Sequence, residues 1–227
     1  MPMKKRIRPP AKAAARAGRR VVSGSPPAEK RHTATIRRLR AKLAAALKRI
    51  DELQASADTD FLLDIPNRRG FEHELSRAVA YIKRYRASGA LILLDVDRLK
   101  PINDAFGHAA GDEVLKEFAA ALRATVRESD VAGRWGGEEF ALVLTGTDAD
   151  GGVRLAERAR VAIESRTVVL PEGDEVTVTA SFGVAAFPDQ REPGELLAAA
   201  DAALFEAKRT GKTKVVRALE SSPEEMV

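Results

Sequence analysis

Three acidic residues of this chain, Asp95, Glu138 and Glu139, are spaced so that their carboxylates could act together. Asp95 closes the apolar run LILLD, and both glutamates lie in the turn WGGEEF between two further apolar runs. Carboxylates crowded at one edge of a sheet repel one another, which raises their pKa or requires a cation. Mg²⁺ binds through one or two carboxylates together with substrate phosphates, so the pattern predicts phosphoryl-type transfer. The alternative is that Asp95 and Glu138 are hydrated strand ends.

Polar residues suited to a nucleotide surround these acids. The segment LDVDRLKPINDAFGHAAGDE contains Lys100, Asn103 and Asp112, and we expect Asp112 at the start of a helix. Its carboxylate could accept hydrogen bonds from the N1–H and the exocyclic amine of guanine, and the Asn103 amide could bind another edge of the base. Lys208 and Lys212 are four residues apart on a predicted helix and could bind phosphate, although such a pair is more often a solvated helix end.

The elements that must position these residues alternate as in an α/β sandwich. We expect Gly136 and Gly137 to supply the positive φ angles of a tight hairpin. The order is close to the split βαβ arrangement, which predicts a ferredoxin-like or palm-type antiparallel sheet flanked by helices. The periodicity predicts helices at 71–86, 111–126, about 152–165 and 195–209, and strands at 90–97, 130–135, 140–145, 168–170, 175–187 and 213–217.

The charge of the chain is divided unevenly. Residues 1–50 carry 16 Lys and Arg against the single acid Glu29, whereas residues 51–227 carry 22 against 32 acids. The chain contains no cysteine, which excludes disulfides and thiolate metal sites. No apolar run approaches the roughly 18 to 20 residues of a membrane span. These features predict a cytoplasmic protein with an acidic body and a basic N-terminal extension.

The extension begins with a predicted disordered basic tail, residues 1–28, which combines Lys and Arg with Pro, Gly and Ser and offers few large apolar groups to bury. Weak electrostatic attachment to nucleic acid or anionic lipid is the alternative to a solvated tail. The tail contains no aromatic residue to stack on a base, which disfavours specific binding to nucleic acid. At the other end, residues 219–227 are predicted to form a flexible C-terminal tail.

Residues 29–58 are predicted to form a coiled-coil dimerisation helix. A β-branched residue at two a positions and leucine at two d positions favour a parallel two-stranded coiled coil, and hence a homodimer. A single amphipathic helix packed on its own domain is the alternative. The apolar residues of the seam alternate at spacings of three and four: Ile36, Leu39, Leu43, Ala46, Ile50, Leu53 and Ala57.

The motifs together resemble the GGDEF family of diguanylate cyclases. The GGEEF of Gly136 to Phe140 is preceded by DVDRLKPIND and GHAAGD, as in that family. DFLLDIPNRRGF resembles the Asp-x-Leu-Thr-Gly-Leu-x-Asn-Arg-Arg at the start of the family's domain, and TASFGVA and ADAALFEAKRTGKTKV resemble its closing motifs. Because these motifs occur in the family's order and at its spacing, residues 59–218 are identified as a GGDEF catalytic domain.

The resemblance implies that two GTP molecules condense to cyclic di-GMP with release of pyrophosphate, in a homodimer whose two domains each bind one GTP. It implies that Asp95, the carbonyl of Val96 and Glu138 hold Mg²⁺, or Mn²⁺ in its place, while Glu139 supports the metal site or helps to deprotonate the hydroxyl. The substrate-binding residues that it implies are Asn103 and Asp112 for guanine, Leu62, Leu99 and Leu115 for the walls around the base, and Lys100, Lys208 and Lys212 for the triphosphate.

A second site is implied by the Arg-x-x-Asp of Arg127 to Asp130, where the family often carries an inhibitory site for its own product. Arg127 can bind guanine or phosphate through its planar fork, and Asp130 can accept hydrogen bonds from the guanine edge. Arg158 on the next helix is a candidate third member. A surface ion pair is the alternative for so short a motif.

Four departures from the family pattern cover five positions: Leu63-Asp64 replaces Thr-Gly, Leu99 replaces Phe, Lys212 replaces Arg and Thr213 replaces Asn. None of these changes removes a predicted metal ligand, so we expect altered substrate affinity rather than loss of chemistry. Lys212 keeps its charge but loses bidentate phosphate geometry, and Leu99 keeps a wall but loses ring stacking.

Two other functions compete with the cyclase. The first is a silent receptor that binds cyclic di-GMP and signals through its coiled coil, although a receptor has no need of Asp95, Glu138 and Glu139. The second is a nucleic-acid-binding protein in which the basic tail is the functional part. The input signal is not written in the sequence, and a protein partner could supply it.

Overall fold

The computed structural model describes residues 28–187 and 192–219. Most of the predicted tails at 1–28 and 219–227 therefore lies outside the described residues, and the predicted domain limits stay predictions. The chain divides into two compact units between Arg49 and Ile50. The first helix is α1 (Ala28–Ala57), and the second unit contains α2 (Arg68–Tyr85), α3 (Leu99–Phe106), α4 (His108–Thr125), α5 (Ala149–Glu164) and α6 (Pro193–Arg209).

A five-stranded sheet forms the centre of the second unit, which confirms the predicted fold class. The strand order is β2-β3-β1-β6-β7, and every neighbouring pair is antiparallel except β6 with β7. A separate two-stranded ribbon pairs β4 with β5. The strands are β1 (Gly89–Asp97), β2 (Val131–Arg134), β3 (Glu139–Thr145), β4 (Thr167–Val169), β5 (Glu175–Thr177), β6 (Thr179–Ala186) and β7 (Val215–Arg217).

Helices cover both faces of the sheet because its central strand is apolar on both sides. All nine residues of β1 are buried, and alternate side chains of a strand point to opposite faces. Ile92 and Leu94 pack in the core that contains Phe118 of α4, while Leu91 and Leu93 pack in the core that contains residues of α2 and α6. β1 therefore runs through the middle of the domain. Its C-terminal residues, Asp95 to Asp97, lie where the strands of the sheet end.

The close approach of α6 to β6 depends on Gly183. A Cβ at this position would lie 2.2 Å from the carbonyl oxygen of Ala200 and 2.3 Å from the amide nitrogen of Leu204, both in the backbone of α6. A side chain therefore does not fit between the two elements. This backbone contact holds α6 close to β6. It therefore helps to position Lys208, which lies at the C-terminal end of α6.

Several element predictions were wrong in detail. The predicted strand 175–187 is two strands, β5 and β6, which are separated by the buried Val178. β5 pairs with β4, whereas β6 pairs with β1 in the main sheet. The segment after β1 forms α3, a helix that the periodicity did not reveal. Since α4 begins at His108, Asp112 lies in its second turn rather than at its start.

The first helix, α1, presents apolar side chains to solvent in the single chain. Ile36, Leu39, Leu43 and Leu47 are between 50 and 61 % exposed. All residues from Thr35 to Arg49 are exposed. Among the described residues, no helix is long and apolar enough to cross a membrane.

Candidate active site

The end of β1 and the start of β3 bring the acidic residues together. Asp95 pairs in register with Glu139, and the Val96 N–H donates to the carbonyl oxygen of Glu138 at 3.1 Å. Asp95 is only 5 % exposed, whereas both glutamates are half-buried. The carboxylates border a cleft of about 520 Å³, which is lined by Asp95, Leu99, Asn103, His108, Gly111, Asp112, Leu115, Arg134, Gly137, Glu138, Glu139 and Lys208.

The turn between β2 and β3 differs from the predicted tight hairpin. Neither Gly136 nor Gly137 has a positive φ, because the connection from Arg134 to Glu139 is a wider loop. The amides of Trp135 and Gly136 both donate to the carbonyl oxygen of Glu139, at 2.8 and 3.1 Å. A Cβ at Gly136 would lie 2.6 Å from Oε2 of Glu139, so a side chain here would displace the glutamate carboxylate. A Cβ at Gly137 would meet open space, so this residue leaves the mouth of the cleft clear.

Arg134 braces this turn, a role that the sequence analysis missed. Its Nε lies 3.1 Å from the carbonyl oxygen of Gly136, and its Nη2 donates to that of Gly137 at 2.7 Å. Its Nη1 forms an ion pair with Oδ2 of Asp60 at 3.0 Å. Both side chains are mostly buried, so the turn that carries Glu138 is fixed to the segment at the start of the domain. The place of Arg134, two residues before the first glycine, was the available signal.

Burial and neighbouring negative charges raise the pKa of two acids in the cleft, Asp95 and Glu138. Burial raises the pKa of Asp95 above its usual range, an effect that Lys208 opposes and Asp97 reinforces. Burial also raises the pKa of Glu138, and the charge of Asp95 adds to that rise. Lys208 Nζ lies 2.8 Å from Oδ2 of Asp95 and is the one cation that forms an ion pair with this group in the described part of the chain. The pair of carboxylates is therefore held in an environment that favours a further positive charge.

The opposite end of the cleft is suited to a planar base. Leu99 and Leu115 are each 4 % exposed and give it apolar walls. The Oδ1 atom of Asn103 is buried and has no hydrogen-bond partner among the described residues. An unsatisfied buried acceptor is costly, so this atom favours a ligand with an N–H group. Asp112 is exposed at the rim, and His108, which the sequence analysis did not select, lines the same wall.

Other predicted site residues lie around the cleft rather than in its lining. Lys100 is exposed on α3, and Leu62 is partly buried against the core. Lys212 lies close enough for its charge to lower the pKa of Asp95 and of Glu138, against the larger effect of burial. Val96 is fully buried in β1. Their roles in binding stay predictions.

A second cleft of about 340 Å³ contains Arg127, Asp130 and Arg158 together. Asp130 is 9 % exposed: its Oδ2 accepts from the Arg127 amide at 3.1 Å, and its buried Oδ1 has no hydrogen-bond partner among the described residues. Arg158 Nη2 donates to the carbonyl oxygen of Thr125 at 2.6 Å. Ser88, just before β1, also lines this cleft. The second cleft therefore lies at the opposite end of β1 from Asp95, and Ser88 is about 20 Å from Asp95 at the usual rise of a strand.

The structure explains the departure from the family pattern at Leu63-Asp64. Asp64 has a φ of 51°, a left-handed conformation that the glycine of the family motif adopts readily and that Asp tolerates better than most residues. Its amide donates to the carbonyl oxygen of Asp60 at 3.0 Å and closes the turn. Leu63 beside it is 2 % exposed and adds apolar surface to the core. These two substitutions therefore preserve the turn.

Comparison with known proteins gives a consistent result. The family model described as "Diguanylate cyclase, GGDEF domain" matches residues 57–214. Diguanylate cyclase DgcP of Pseudomonas aeruginosa is 39 % identical over 168 residues, which cover 73 % of this chain and 25 % of that protein. The chain spans between a quarter and about half of the length of the first curated relatives that it matches.

Two solved structures share the fold at informative identity. The coiled coil and GGDEF domain of DgcB from Caulobacter crescentus, in complex with c-di-GMP, is 29 % identical with a TM-score of 0.73 and covers 82 % of this chain and 98 % of that one. The active GGEEF domain of a diguanylate cyclase from Vibrio cholerae is 31 % identical with a TM-score of 0.63, covering 68 % of this chain and 98 % of that one.

Proposed function

The chain belongs to the GGDEF family of diguanylate cyclases, and from that membership we propose that it condenses two GTP molecules to cyclic di-GMP as a homodimer. The observation that carries the proposal is the cleft that brings together Asp95 of β1 and Glu138 of the turn before β3, with apolar walls and the unsatisfied acceptor of Asn103 further along. A triphosphate would lie at the acidic end and guanine at the apolar end. Glu138 takes the place of the aspartate in GGDEF. The Vibrio cholerae relative, an active GGEEF domain, supports the proposal that glutamate at this position is compatible with activity.

The donor set at the acidic end fits Mg²⁺, or Mn²⁺ in its place. Within the described residues no three acidic or histidine side chains enclose an ion. Mg²⁺ does not need such a cage, since it keeps open positions for waters and substrate phosphates. Asp95 and Glu138 would hold the ion with the Val96 carbonyl, and its charge would favour the ionised form of both acids, whose pKa burial raises. When bound, the ion would neutralise phosphate charge at the α-phosphorus.

The chain's own residues would hold the rest of the nucleotide. Lys208 lies at the end of α6 beside Asp95, and its ammonium group would pair with phosphate oxygens of the substrate there. Lys212 and Lys100 would approach the triphosphate from outside the cleft lining. Asn103 Oδ1 would accept from an N–H of guanine, and the exposed Asp112 carboxylate would accept from the N1–H and the exocyclic amine.

Each condensation forms one bond between the 3′-oxygen of one GTP and the α-phosphorus of the other. The bond from that phosphorus to the β-phosphate oxygen breaks, pyrophosphate leaves, and the proton of the 3′-hydroxyl must pass to a base. Glu139 is half-buried in the cleft lining. We assign it one of two roles: it accepts the proton of the 3′-hydroxyl, or it supports Glu138 at the metal site. Two such steps close the ring, so positioning and charge neutralisation account for most of the rate.

Two chains would be required, because the described residues place Asp95 and Glu138 in a single cleft of each domain. The exposed Ile36, Leu39, Leu43 and Leu47 of α1 give a second copy an apolar seam to cover. A dimer through α1 would hold two GTP-loaded domains at high effective concentration. The Caulobacter crescentus relative supports this arrangement, since its structure contains both a coiled coil and the GGDEF domain.

We propose that the second cleft binds the product and inhibits the enzyme. The unsatisfied Oδ1 of Asp130 and the exposed guanidinium of Arg127 form a complementary pair for guanine and phosphate. Binding about 20 Å from Asp95 cannot block the active cleft of the same domain directly. Inhibition would therefore act by holding the two domains apart or out of alignment.

Replacing Arg127 by alanine is expected to raise the inhibition constant for cyclic di-GMP by roughly tenfold or more, because a charge-assisted contact is lost. Inhibition curves are measured with added product, each referred to the variant's own rate without product. Arg77→Ala, an exposed arginine on α2, is the control. Equal inhibition of wild type and Arg127→Ala would place the inhibitory site elsewhere.

Replacing Gly111 by alanine is expected to raise the KM for GTP by roughly tenfold, because one hydrogen bond to the base is lost. The added Cβ would lie 1.9 Å from Oδ1 of Asn103 and would displace that side chain. The control is Gly194→Ala, which places a methyl group in a helix where nothing lies within 4 Å. An unchanged KM in Gly111→Ala would remove Asn103 from the binding of the base.

The direct test is to incubate product-free protein with GTP and Mg²⁺ and to separate the nucleotides by chromatography. We expect cyclic di-GMP and pyrophosphate in a ratio of about one to two, because each ring needs two condensations. ATP in place of GTP should give no cyclic product. The absence of cyclic di-GMP from dimeric, product-free protein would overturn the proposal.

A further inference from the structure

A buried cluster next to the active site has no part in the function as proposed so far. Asp97, two residues beyond Asp95 on the same face of β1, is 4 % exposed. Its Oδ1 accepts from the Ser181 hydroxyl at 2.8 Å, and its Oδ2 accepts from the Thr179 hydroxyl at 2.9 Å. A buried carboxylate that accepts from several donors is a fixed anchor rather than a free base.

The same carboxylate holds the turn after α6. The Thr213 amide donates to Oδ2 of Asp97 at 3.1 Å, and the Thr213 hydroxyl lies 3.3 Å from that oxygen. The Thr213 hydroxyl is also 3.0 Å from Oγ1 of Thr179, so its single proton can serve either acceptor. Thr213 is thus joined both to β1 and to β6.

This turn has an unusual backbone. Lys212 and Thr213 have φ angles of 64° and 50°, directly after Gly211 at 120°. Residues with a side chain adopt the left-handed conformation at a cost, and two in succession require outside support. The bonds from Thr213 to Asp97, together with the bond from the Lys212 amide to the carbonyl oxygen of Ala207 at 3.0 Å, supply that support.

The conformation matters because of where it places Lys212. The turn follows the end of α6, where Lys208 contacts Asp95, and the charge of Lys212 reaches both Asp95 and Glu138. If the turn relaxed to ordinary φ angles, the direction of the Lys212 side chain would change while Lys208, on the helix, would stay.

We propose that Asp97 is a positioning residue that, through Thr213, holds the turn at 211–213 so that Lys212 faces the phosphate chain of the substrate. The inference rests on the proposed function and extends it to a residue outside the cleft lining. It also gives a role to threonine at position 213, because this residue supplies both an N–H and a hydroxyl to the Asp97 carboxylate. The expected signature is a loss of affinity for the phosphates and not for the base.

The test compares two ligands that cannot react. 3′-Deoxy-GTP and 3′-deoxy-GMP lack the attacking hydroxyl and differ only in the β- and γ-phosphates. Binding of each, with Mg²⁺, is measured by calorimetry or equilibrium dialysis for wild type, Asp97→Asn, Thr213→Val and Thr213→Ser. Thr167→Val, at an exposed position on β4, is the matched control. Thermal melting reports whether each variant is folded.

We expect Thr213→Val and Asp97→Asn to bind 3′-deoxy-GTP roughly tenfold more weakly, with 3′-deoxy-GMP affinity changed less than about twofold, since only the phosphate contacts are misplaced. Thr213→Ser, which keeps the hydroxyl, should restore most of the loss. Unchanged 3′-deoxy-GTP affinity in folded Thr213→Val, or an equal loss for both ligands, would overturn the role. If wild type binds neither ligand, the proposed function falls, and this role falls with it.

Discussion

Replacing Glu138 by glutamine abolishes the formation of cyclic di-GMP, with an expected loss of roughly a thousandfold or more, because metal-assisted charge stabilisation contributes several kcal/mol to the barrier. The substitution keeps the shape of the side chain and removes only its charge. Turnover is measured at saturating GTP and Mg²⁺. A variant that retains a tenth of the wild-type rate would exclude Glu138 as a metal ligand.

The same variant should not lose stability. Burial raises the pKa of Glu138, so the ionised form is the one that the fold disfavours. The contribution of this group to stability is therefore complete below the ordinary carboxylate pKa and is lost as pH rises through the raised value. At neutral pH the melting temperature of Glu138→Gln should equal or exceed that of wild type. A lower melting temperature would mean that the loss of activity comes from unfolding.

Replacing Leu43 by glutamate is expected to reduce turnover at submicromolar protein by roughly tenfold or more, because a charge enters the seam through which α1 would pair with a second copy. The matched control is Ala45→Glu, which adds the same charge to the opposite face of the same exposed helix. Sedimentation and activity are measured over a range of protein concentrations.

Activity of Leu43→Glu should recover as the protein concentration rises, since two chains can still meet by collision. The catalytic domain should keep its melting temperature, because Leu43 is 61 % exposed in the single chain. A monomeric Leu43→Glu with wild-type turnover at all concentrations would show that dimerisation through α1 is not needed.

Strong periodicity made the main elements predictable. The run GALILLDVD is apolar on both sides and could only be a central strand, which placed Asp95 at its end. The heptad pattern likewise predicted a helix before the domain, and a helix at Ala28–Ala57 is found. The meeting of Asp95 with the GGEEF turn followed from one antiparallel pairing.

Long-range contacts made the rest unpredictable. Nothing in the local sequence says that Arg134 reaches Asp60, because the two residues are 74 positions apart. The left-handed backbone of Lys212 and Thr213 depends on Asp97, which lies on another element. The glycines of the turn suggested positive φ angles, whereas neither has one and Gly136 instead leaves room for the carboxylate of Glu139. Spacing along the chain reveals periodic faces but not which distant polar groups meet.

The requirement for two complete chains is tested most directly by mixing wild type with Glu138→Gln after dissociating and reassociating the two proteins together. With half of the chains wild type and pairing at random, about a quarter of the dimers contain two competent sites. We predict that cyclic di-GMP formation per total protein falls to about a quarter of the rate of pure wild type. A fall to about one half would show that a single chain completes the reaction, and the absence of cyclic di-GMP from pure wild type would contradict the cyclase assignment itself.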